Sequence, residues 1–78
     1  MSNFEIETVK DERKRIGKLL KERRENLNYT QEDVATYCGV KTTTINKIEN
    51  GAFSYSLDIV FKMSEFLDLE IELRKKDV

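Results

Sequence analysis

The stretch that decides the fold is TQEDVATYCGVKTTTINKIENG, residues 30–51, whose pattern predicts two short helices joined by a tight turn. Thr30 and Asp33 have the spacing of a capping box, in which each side chain accepts a hydrogen bond from the other residue's backbone N–H. The first helix is therefore expected to begin at Thr30 and to end near Cys38. Gly39 follows and supplies the positive φ that a left-handed helix end requires.

The second helix of this stretch has an apolar side and a polar side. Its polar side includes three consecutive threonines, although β-branched residues lose rotamer freedom in a helix. Such a surface suits a DNA major groove, where a Thr methyl contacts thymine, Asn pairs with adenine and Lys reaches guanine or a phosphate. The alternative is an ordinary solvated face. The apolar side consists of Val40, Ile45 and Ile48, and the polar side of Lys41, Thr42, Thr43, Asn46 and Lys47.

Other motifs stand at fixed distances from this stretch. They are RIGKLLKERREN at 15–26, TQEDVA at 30–35, the turn Gly39-Val40, the pattern IxKIENG at 45–51 and SLDIVFKMSEFLDL at 56–69. With these motifs the chain resembles the phage repressor and Cro type of helix-turn-helix domain, also called the xenobiotic-response-element family, from Ile16 to Leu69. The resemblance implies a mainly all-α fold, a repressor-like bundle of five helices or fewer.

The same resemblance implies sequence-specific binding to double-stranded DNA, with residues 41–49 as the recognition helix in the major groove. It also implies an ion pair between Arg24 and Glu49 that ties the first helix to the end of the recognition helix. The base-facing residues would be Thr42, Thr43, Asn46 and Lys47, and the phosphate or flanking contacts would be Gln31, Lys41, Thr44 and Asn50.

Length and composition set limits on the function. Seventy-eight residues make one small domain, near the size at which pairing with a second subunit helps stability. No apolar run approaches the roughly 20 residues of a membrane span, and residues 1–15 lack the apolar core of a signal peptide. A lone cysteine, Cys38, and the absence of His argue against a disulfide framework and against zinc. We expect a cytoplasmic protein that has no membrane contact, cofactor or enzymatic activity.

Charge is distributed unevenly along the chain. The net charge of −1 argues, by itself, against nucleic acid. However, eight of the fourteen basic residues lie between Lys10 and Arg24, whereas residues 58–72 contain five acids and one Lys. Only the surface that faces the phosphates must be positive. A low overall charge predicts weak non-specific binding, so that affinity would depend on base contacts and on dimerisation.

The chain before the motif is predicted to contain an arm and a long helix. Residues 4–9, FEIETV, alternate in polarity, which predicts an N-terminal arm or short strand over residues 1–8. Thr8 and Asp11 have the spacing of a second capping box, so a helix is expected from residue 9 to about residue 26. The DNA-binding domain would then span residues 9–69.

Several individual residues predict further details of the local structure. Gly17 inside the first helix lowers the stability of that helix by on the order of 1 kcal/mol relative to Ala. A glycine at this position therefore indicates that another backbone approaches closely. Asn28 is expected in a left-handed turn, and Ser56 is expected to be an N-cap. The apolar stripes are predicted as Ile16, Leu19, Leu20 and Leu27 in the first helix, and Leu57, Val60, Met63 or Ser64, and Leu67 in the last.

Apolar residues beyond these stripes predict an interface. Ile59, Phe61 and Phe66 exceed what one small core holds. In the tail, residues 70–78, apolar and charged residues alternate, which predicts a short C-terminal β-strand. Its partner edge would be residues 4–9 of the same chain or the same strand of a second subunit. The second partner is favoured, because some repressor-like antitoxins of the family that this chain resembles dimerise through such a strand.

These patterns together favour a homodimeric transcriptional regulator that binds an inverted-repeat operator and acts as a repressor. A two-fold dimer places two recognition helices about 34 Å apart, one turn of DNA. The alternative is an antitoxin-like or regulatory module whose main contact is a protein partner.

Overall fold

The computed structural model describes residues 3–52 and 54–77, with side chains from Thr8 onward. This part of the chain forms four helices: α1 (Asn3–Asn26), α2 (Gln31–Cys38), α3 (Thr42–Glu49) and α4 (Leu57–Phe66). Helix α3 packs against both α1 and α2, and α4 packs against α2. The mainly α-helical prediction is confirmed.

Helix α1 begins earlier than the sequence pattern predicted. It starts at Asn3, so the strand predicted over residues 4–9 is wrong, and Thr8 lies inside the helix instead of capping it. Six alternating residues are too few to distinguish a strand from the first turns of a helix. The helix also crosses the boundary that was predicted between an arm and the domain after residue 8.

The helix ends of the motif follow the predicted local chemistry. The Thr30 hydroxyl accepts a hydrogen bond from the backbone N–H of Asp33 at 3.0 Å, and the Asp33 carboxylate accepts one from the N–H of Thr30 at 2.9 Å. Gly39 has φ of 71° and Asn28 has φ of 62°, both in the left-handed region. Ser56 caps α4 by accepting from the N–H of Ile59. These four predictions are confirmed.

The core lies where α2, α3 and α4 meet one side of α1. Burial raises the pKa of the Cys38 thiol above its usual value, so this residue is an unreactive part of the core. Ile59 and Phe66 also pack against the core, which leaves Phe61 half exposed. The buried cluster consists of Leu20, Val34, Ala35, Cys38, Ile45, Ile48, Met63 and Leu67.

Three leucines that were assigned to the apolar stripes are exposed instead. Leu19 is 51% exposed, Leu27 is 36% exposed and Leu57 is 67% exposed. Helix α1 contacts the rest of the domain through Gly17, Leu20 and Arg24, and Leu19 projects about 100° away from Leu20 around the helix axis. Leu57 is the first residue of α4 and lies at the edge of the packed region.

The predicted C-terminal strand is not seen in the described part of the chain. Residues 69–77 form neither helix nor strand. A strand needs a paired edge for its backbone groups, and the segment that was one candidate for this edge is part of α1. The start of the tail is held in place, because the N–H of Leu69 donates to the carbonyl of Ser64 at 2.8 Å and Arg23 Nε donates to the carbonyl of Leu67 at 2.8 Å.

Helix α1 contacts the end of α3 through a glycine. A Cβ added to Gly17 would lie 2.3 Å from the carbonyl oxygen of Ile48 and 2.7 Å from that of Glu49. Such distances are far inside van der Waals contact, so another residue at position 17 would push the two helices apart. This confirms the predicted close approach of another backbone.

We predict that Gly17→Ala lowers the free energy of unfolding by about 1 to 3 kcal/mol, the usual cost of overpacking, although Ala is the better helix former. Urea denaturation followed by circular dichroism measures the change. Lys18→Ala, on the exposed neighbouring position, is the control and should change stability by no more than about 0.5 kcal/mol. A Gly17→Ala protein as stable as the original would refute the steric argument.

Candidate nucleic-acid interface

Helix α3 separates its buried and exposed residues sharply. Ile45 and Ile48 are fully buried and fix the helix on the core. The four residues predicted to face bases are all exposed, and they share the opposite side of the helix: Thr42, Thr43, Asn46 and Lys47. An α-helix with its side chains is about 10 to 12 Å in diameter, which fits a major groove about 12 Å wide.

The flanking residues lie in different environments. Lys41 and Asn50 are exposed at the two ends of this α3 face, whereas Thr44 is half-buried. The Asn50 side-chain amide donates to the side-chain oxygen of Asn46 at 3.2 Å. That hydrogen bond links the side-chain amides of Asn46 and Asn50 on the exposed side of α3.

A buried ion pair holds the end of α3 against α1. Arg24 donates from Nε to Glu49 Oε2 at 2.7 Å and from Nη2 to Oε1 at 3.0 Å, and the Glu49 side chain is 1% exposed. The pair that the family resemblance implied is therefore present. The hydrogen bonds from Arg24 to Glu49 raise the pKa of Arg24 above its usual value, which keeps the guanidinium in its charged form.

Two further groups join this ion pair. Arg24 Nη1 donates to the carbonyl of Tyr29 at 2.8 Å, and the Gln31 side-chain amide donates to Glu49 Oε1 at 3.0 Å. Sequence reasoning assigned Gln31 to a phosphate and missed this contact. No local signal could have found it, because residues 31 and 49 are brought together by the packing of α2 against α3.

The loop after α3 is also attached to α1. Arg13 Nη1 donates to the Ser54 hydroxyl at 3.2 Å, and the Tyr55 hydroxyl donates to the carbonyl of Arg13 at 3.4 Å. At Gly51, an added Cβ would lie 2.8 Å from Cα of Lys14. These contacts between α1 and the loop were not predicted, since their residues are about forty positions apart.

A basic residue of α1 lies close to the end of α3. Lys14 borders Gly51, as the close backbone distance shows. Lys10 and Lys21 fall within about 60° of Gly17 around the helix axis, on the same side as Lys14. All three lysines are exposed. Lys14 thus brings one positive charge of the basic segment next to the residue that follows α3, where positive charge suits phosphates.

A metal-ion cluster and a membrane-spanning helix are both absent from the described residues. Among the side chains from Thr8 to Asp77, leaving out residue 53, no group of three or more Cys, Asp or Glu could hold a metal ion. In the same part of the chain, no helix is both long and apolar enough to cross a membrane.

Comparison with known proteins identifies the family. A helix-turn-helix family model matches residues 20–73, which include α2, α3 and α4. The chain belongs to the repressor and Cro type of helix-turn-helix family. This is a family of DNA-binding transcriptional regulators and not a class of enzymes.

Individual relatives agree with this assignment. A protein of Methanocaldococcus jannaschii, described as an uncharacterized helix-turn-helix-type transcriptional regulator, is 44% identical over 45 residues, which cover 58% of this chain and 68% of the relative. A similarly described Archaeoglobus fulgidus protein is 36% identical over 53 residues, 68% of this chain and 75% of that one. A putative regulatory protein of Methanococcoides burtonii is 38% identical over 55 residues, 70% of this chain but 17% of that protein.

A solved structure shares the fold. The restriction-modification controller protein C.AhdI from Aeromonas hydrophila superposes with a TM-score of 0.72 at 27% sequence identity. The match covers 77% of this chain and 91% of the controller protein.

We predict that Arg24→Met lowers the free energy of unfolding by about 3 to 5 kcal/mol, because it leaves the Glu49 carboxylate buried without its counter-charge. Thermal and urea denaturation measure the loss. Adding Glu49→Leu should recover part of it, since no buried charge then remains. The control is Arg15→Met, which breaks the exposed pair with Glu12 and should leave stability nearly unchanged. Equal effects of Arg24→Met and Arg15→Met would show that burial of the pair is unimportant.

Proposed function

We propose that this protein is a homodimeric repressor that binds an inverted-repeat operator in double-stranded DNA, with α3 in the major groove. The observation that carries the proposal is the exposed polar face of α3. The opposite face of this helix is fixed in the core by the fully buried side chains of Ile45 and Ile48. Family membership supports DNA-binding regulation. The operator, the dimer and the repressor role are our proposals.

Each exposed residue of the α3 face takes a role that its chemistry allows. Thr42 and Thr43 offer a methyl group to thymine and a hydroxyl to either kind of base edge, and Asn46 pairs with adenine. Lys47 reaches guanine or a phosphate at the edge of the groove. Direct base contacts of this kind distinguish one DNA sequence from another, whereas phosphate contacts fix the orientation of the protein.

The proposed phosphate and flanking contacts surround this face at Gln31, Lys41, Thr44 and Asn50. One N–H of the Gln31 amide is bound to Glu49, and we assign the second N–H of the same amide to a phosphate. Gln31 therefore links the DNA backbone to the buried ion pair. Thr44 is half-buried, so its contact would be at the margin of the interface.

Dimerisation supplies the affinity that one half-site lacks. The net charge of −1 predicts weak non-specific attraction, so two recognition helices on one operator give a large gain. Three exposed leucines, Leu19, Leu57 and Leu73, line one groove between α1, α4 and the tail. Apolar groups gathered at one surface are typical of a protein interface. A dimer bound across a promoter would block polymerase, which is why we assign repression.

The alternative, an antitoxin-like module for a protein partner, has less support in this structure. Of the three residues that were expected to form its surface, Ile59 and Phe66 pack against the core, and Phe61 is 50% exposed. Phe66 also stacks with Tyr29 and Tyr37 at ring distances of 4.6 and 4.8 Å. The surface left for such a partner is therefore smaller than the sequence suggested.

Selection of random duplex DNA on the purified protein tests the proposal. We expect an enriched inverted repeat whose half-sites lie about one helical turn apart, and an affinity that falls with salt as several counterions are released. An enriched single site without symmetry would contradict the dimeric repressor. Weak binding to every sequence would contradict DNA recognition itself and would direct attention to a protein partner at Phe61.

We predict that Thr43→Ala and Lys47→Ala each weaken binding to the selected operator by about 1 to 3 kcal/mol while the fold stays intact. Fluorescence anisotropy with the operator and with an unrelated duplex measures the two affinities. The matched control is Lys62→Ala, which removes an exposed Lys of α4 and should leave operator binding unchanged. A uniform loss on both duplexes for Thr43→Ala would rule out base readout by this residue.

A further inference from the structure

The groove between α1, α4 and the tail is large enough for a small molecule. Its volume of about 570 Å³ lies within the roughly 300 to 1,000 Å³ that is typical of ligand sites. Its walls carry exposed apolar side chains, namely Leu19 of α1, Leu57 of α4, and Ile71 and Leu73 of the tail. We propose that this groove binds a hydrophobic cation of small-molecule size, and that the bound cation displaces the second subunit.

The binding site needs only one chain, because its apolar walls and its charges all come from a single molecule. The displacement rests on the dimer of the proposed function, which places the second subunit on the exposed leucines of the same groove. A ligand seated on Leu19 and Leu57 would occupy the area that the second subunit covers. Failure of the dimer would therefore leave the binding site intact.

The charges at the groove favour a cation. The described residues that line it include four glutamates and two arginines. Glu22 lies on α1 and Glu70 in the tail, and both are exposed. In the part of the chain that the structure describes, neither carboxylate takes part in a hydrogen bond or an ion pair. Two carboxylates without counter-charges on different walls of one groove attract a positively charged group between them.

Both arginines that line the groove already have acceptors. Arg15 Nη2 donates to Glu12 Oε2 at 2.8 Å, and Arg23 Nε donates to the carbonyl of Leu67 at 2.8 Å. An anionic ligand would have to compete with these acceptors for the guanidinium groups. A cation instead meets carboxylates that have no partner, so the groove distinguishes between ligands of opposite charge.

The apolar walls require that the cation be hydrophobic. Glu22 and Glu70 are exposed to solvent, so their attraction for a small hydrated cation is screened by water and salt. Most of the binding free energy must therefore come from covering apolar surface, to which Leu57 and Leu73 contribute as largely exposed side chains. This requirement favours an organic cation with a broad apolar surface over a metal ion or a polyamine.

The groove is separate from the proposed DNA-contacting face. The described residues that line it belong to α1, to Tyr55, to α4 and to 69–73, and none of them belongs to α2 or α3. A ligand in the groove therefore leaves the exposed side of α3 open. Any effect of the ligand on operator binding would act through the dimer, by linkage between the two equilibria.

Two ions of the same shape and opposite charge test the binding site, namely tetraphenylphosphonium and tetraphenylborate. In isothermal titration calorimetry on the full chain, we expect the phosphonium to bind at least about tenfold more tightly than the borate, because the unpaired carboxylates attract one ion and repel the other. The preference should become smaller as the salt concentration rises, since exposed charges are screened.

Substitutions at the groove separate charge from apolar contact. Glu22→Gln with Glu70→Gln removes the two unpaired charges and should weaken phosphonium binding at least about fivefold. The matched control is Glu25→Gln with Glu32→Gln, which removes two exposed charges outside the groove and should leave phosphonium binding unchanged. Leu57→Ala should weaken the binding of both ions, because it removes apolar surface and no charge. Circular dichroism checks that each variant is folded.

Sedimentation velocity without DNA tests the displacement. At a phosphonium concentration about ten times its Kd, the apparent dissociation constant of the dimer should rise at least about tenfold, because the ligand binds the separated subunits and not the dimer. The affinity for the selected operator should fall with it. Tetramethylammonium at the same concentration carries the same charge without the apolar surface and should change neither quantity.

The outcomes distinguish the site from the dimer. Absence of phosphonium binding, or equal binding of the two ions, would overturn the site, and the proposed function would stand if the chain still selects an inverted repeat. Phosphonium binding that is unchanged in Glu22→Gln with Glu70→Gln would place the cation elsewhere and would also overturn the site. A dimer that persists while the cation is bound would overturn the displacement. An original chain that is monomeric, both free and on its selected DNA, would overturn the proposed dimer and the displacement with it.

Discussion

The ion pair between Arg24 and Glu49 is the constraint on which the placement of the recognition helix depends. A buried pair of charges loses its hydration, and this loss is offset when the geometry is good and further hydrogen bonds satisfy the remaining groups. Here the two direct bonds are joined by those to the Tyr29 carbonyl and from the Gln31 amide. Parts of α1, of the turn after it, of α2 and of α3 therefore meet at one point.

Gly17 works together with this ion pair. The pair attracts the end of α3 toward α1, and the missing side chain at position 17 lets the carbonyls of Ile48 and Glu49 come close. With the helix end fixed in this way, burial of Ile45 and Ile48 fixes the rotation of α3 about its own axis. The polar face of α3 is exposed because the opposite face is buried in the core.

Helix α1 has three sides with different environments. One side, with Gly17, Leu20 and Arg24, packs on the domain, and the neighbouring side holds lysines near the end of α3. A third side carries Leu19 toward the groove that the tail also lines. In our proposals the Leu19 side meets the second subunit. Helix α1, which holds α3 through Arg24, would then set the distance between the recognition helix and the dimer contact.

The sequence by itself determined the features that depend on neighbours within one or two helical turns. The capping box at Thr30, the left-handed Gly39 and Asn28, and the polar and apolar sides of α3 all follow from local hydrogen bonding and from the 3.6-residue period. The ion pair of Arg24 was expected from resemblance to a family, and spacing alone would not have shown it.

Only the tertiary structure decided how those local elements use their surfaces. It showed that Leu19 and Leu57 are exposed, that Gln31 is bound to Glu49, and that Arg13 holds the loop after α3. It also made residues 4–9 part of a helix and left the tail without a strand. The physical reason is that periodicity gives the direction of a side chain around its own helix, whereas burial and partners depend on which distant element packs there.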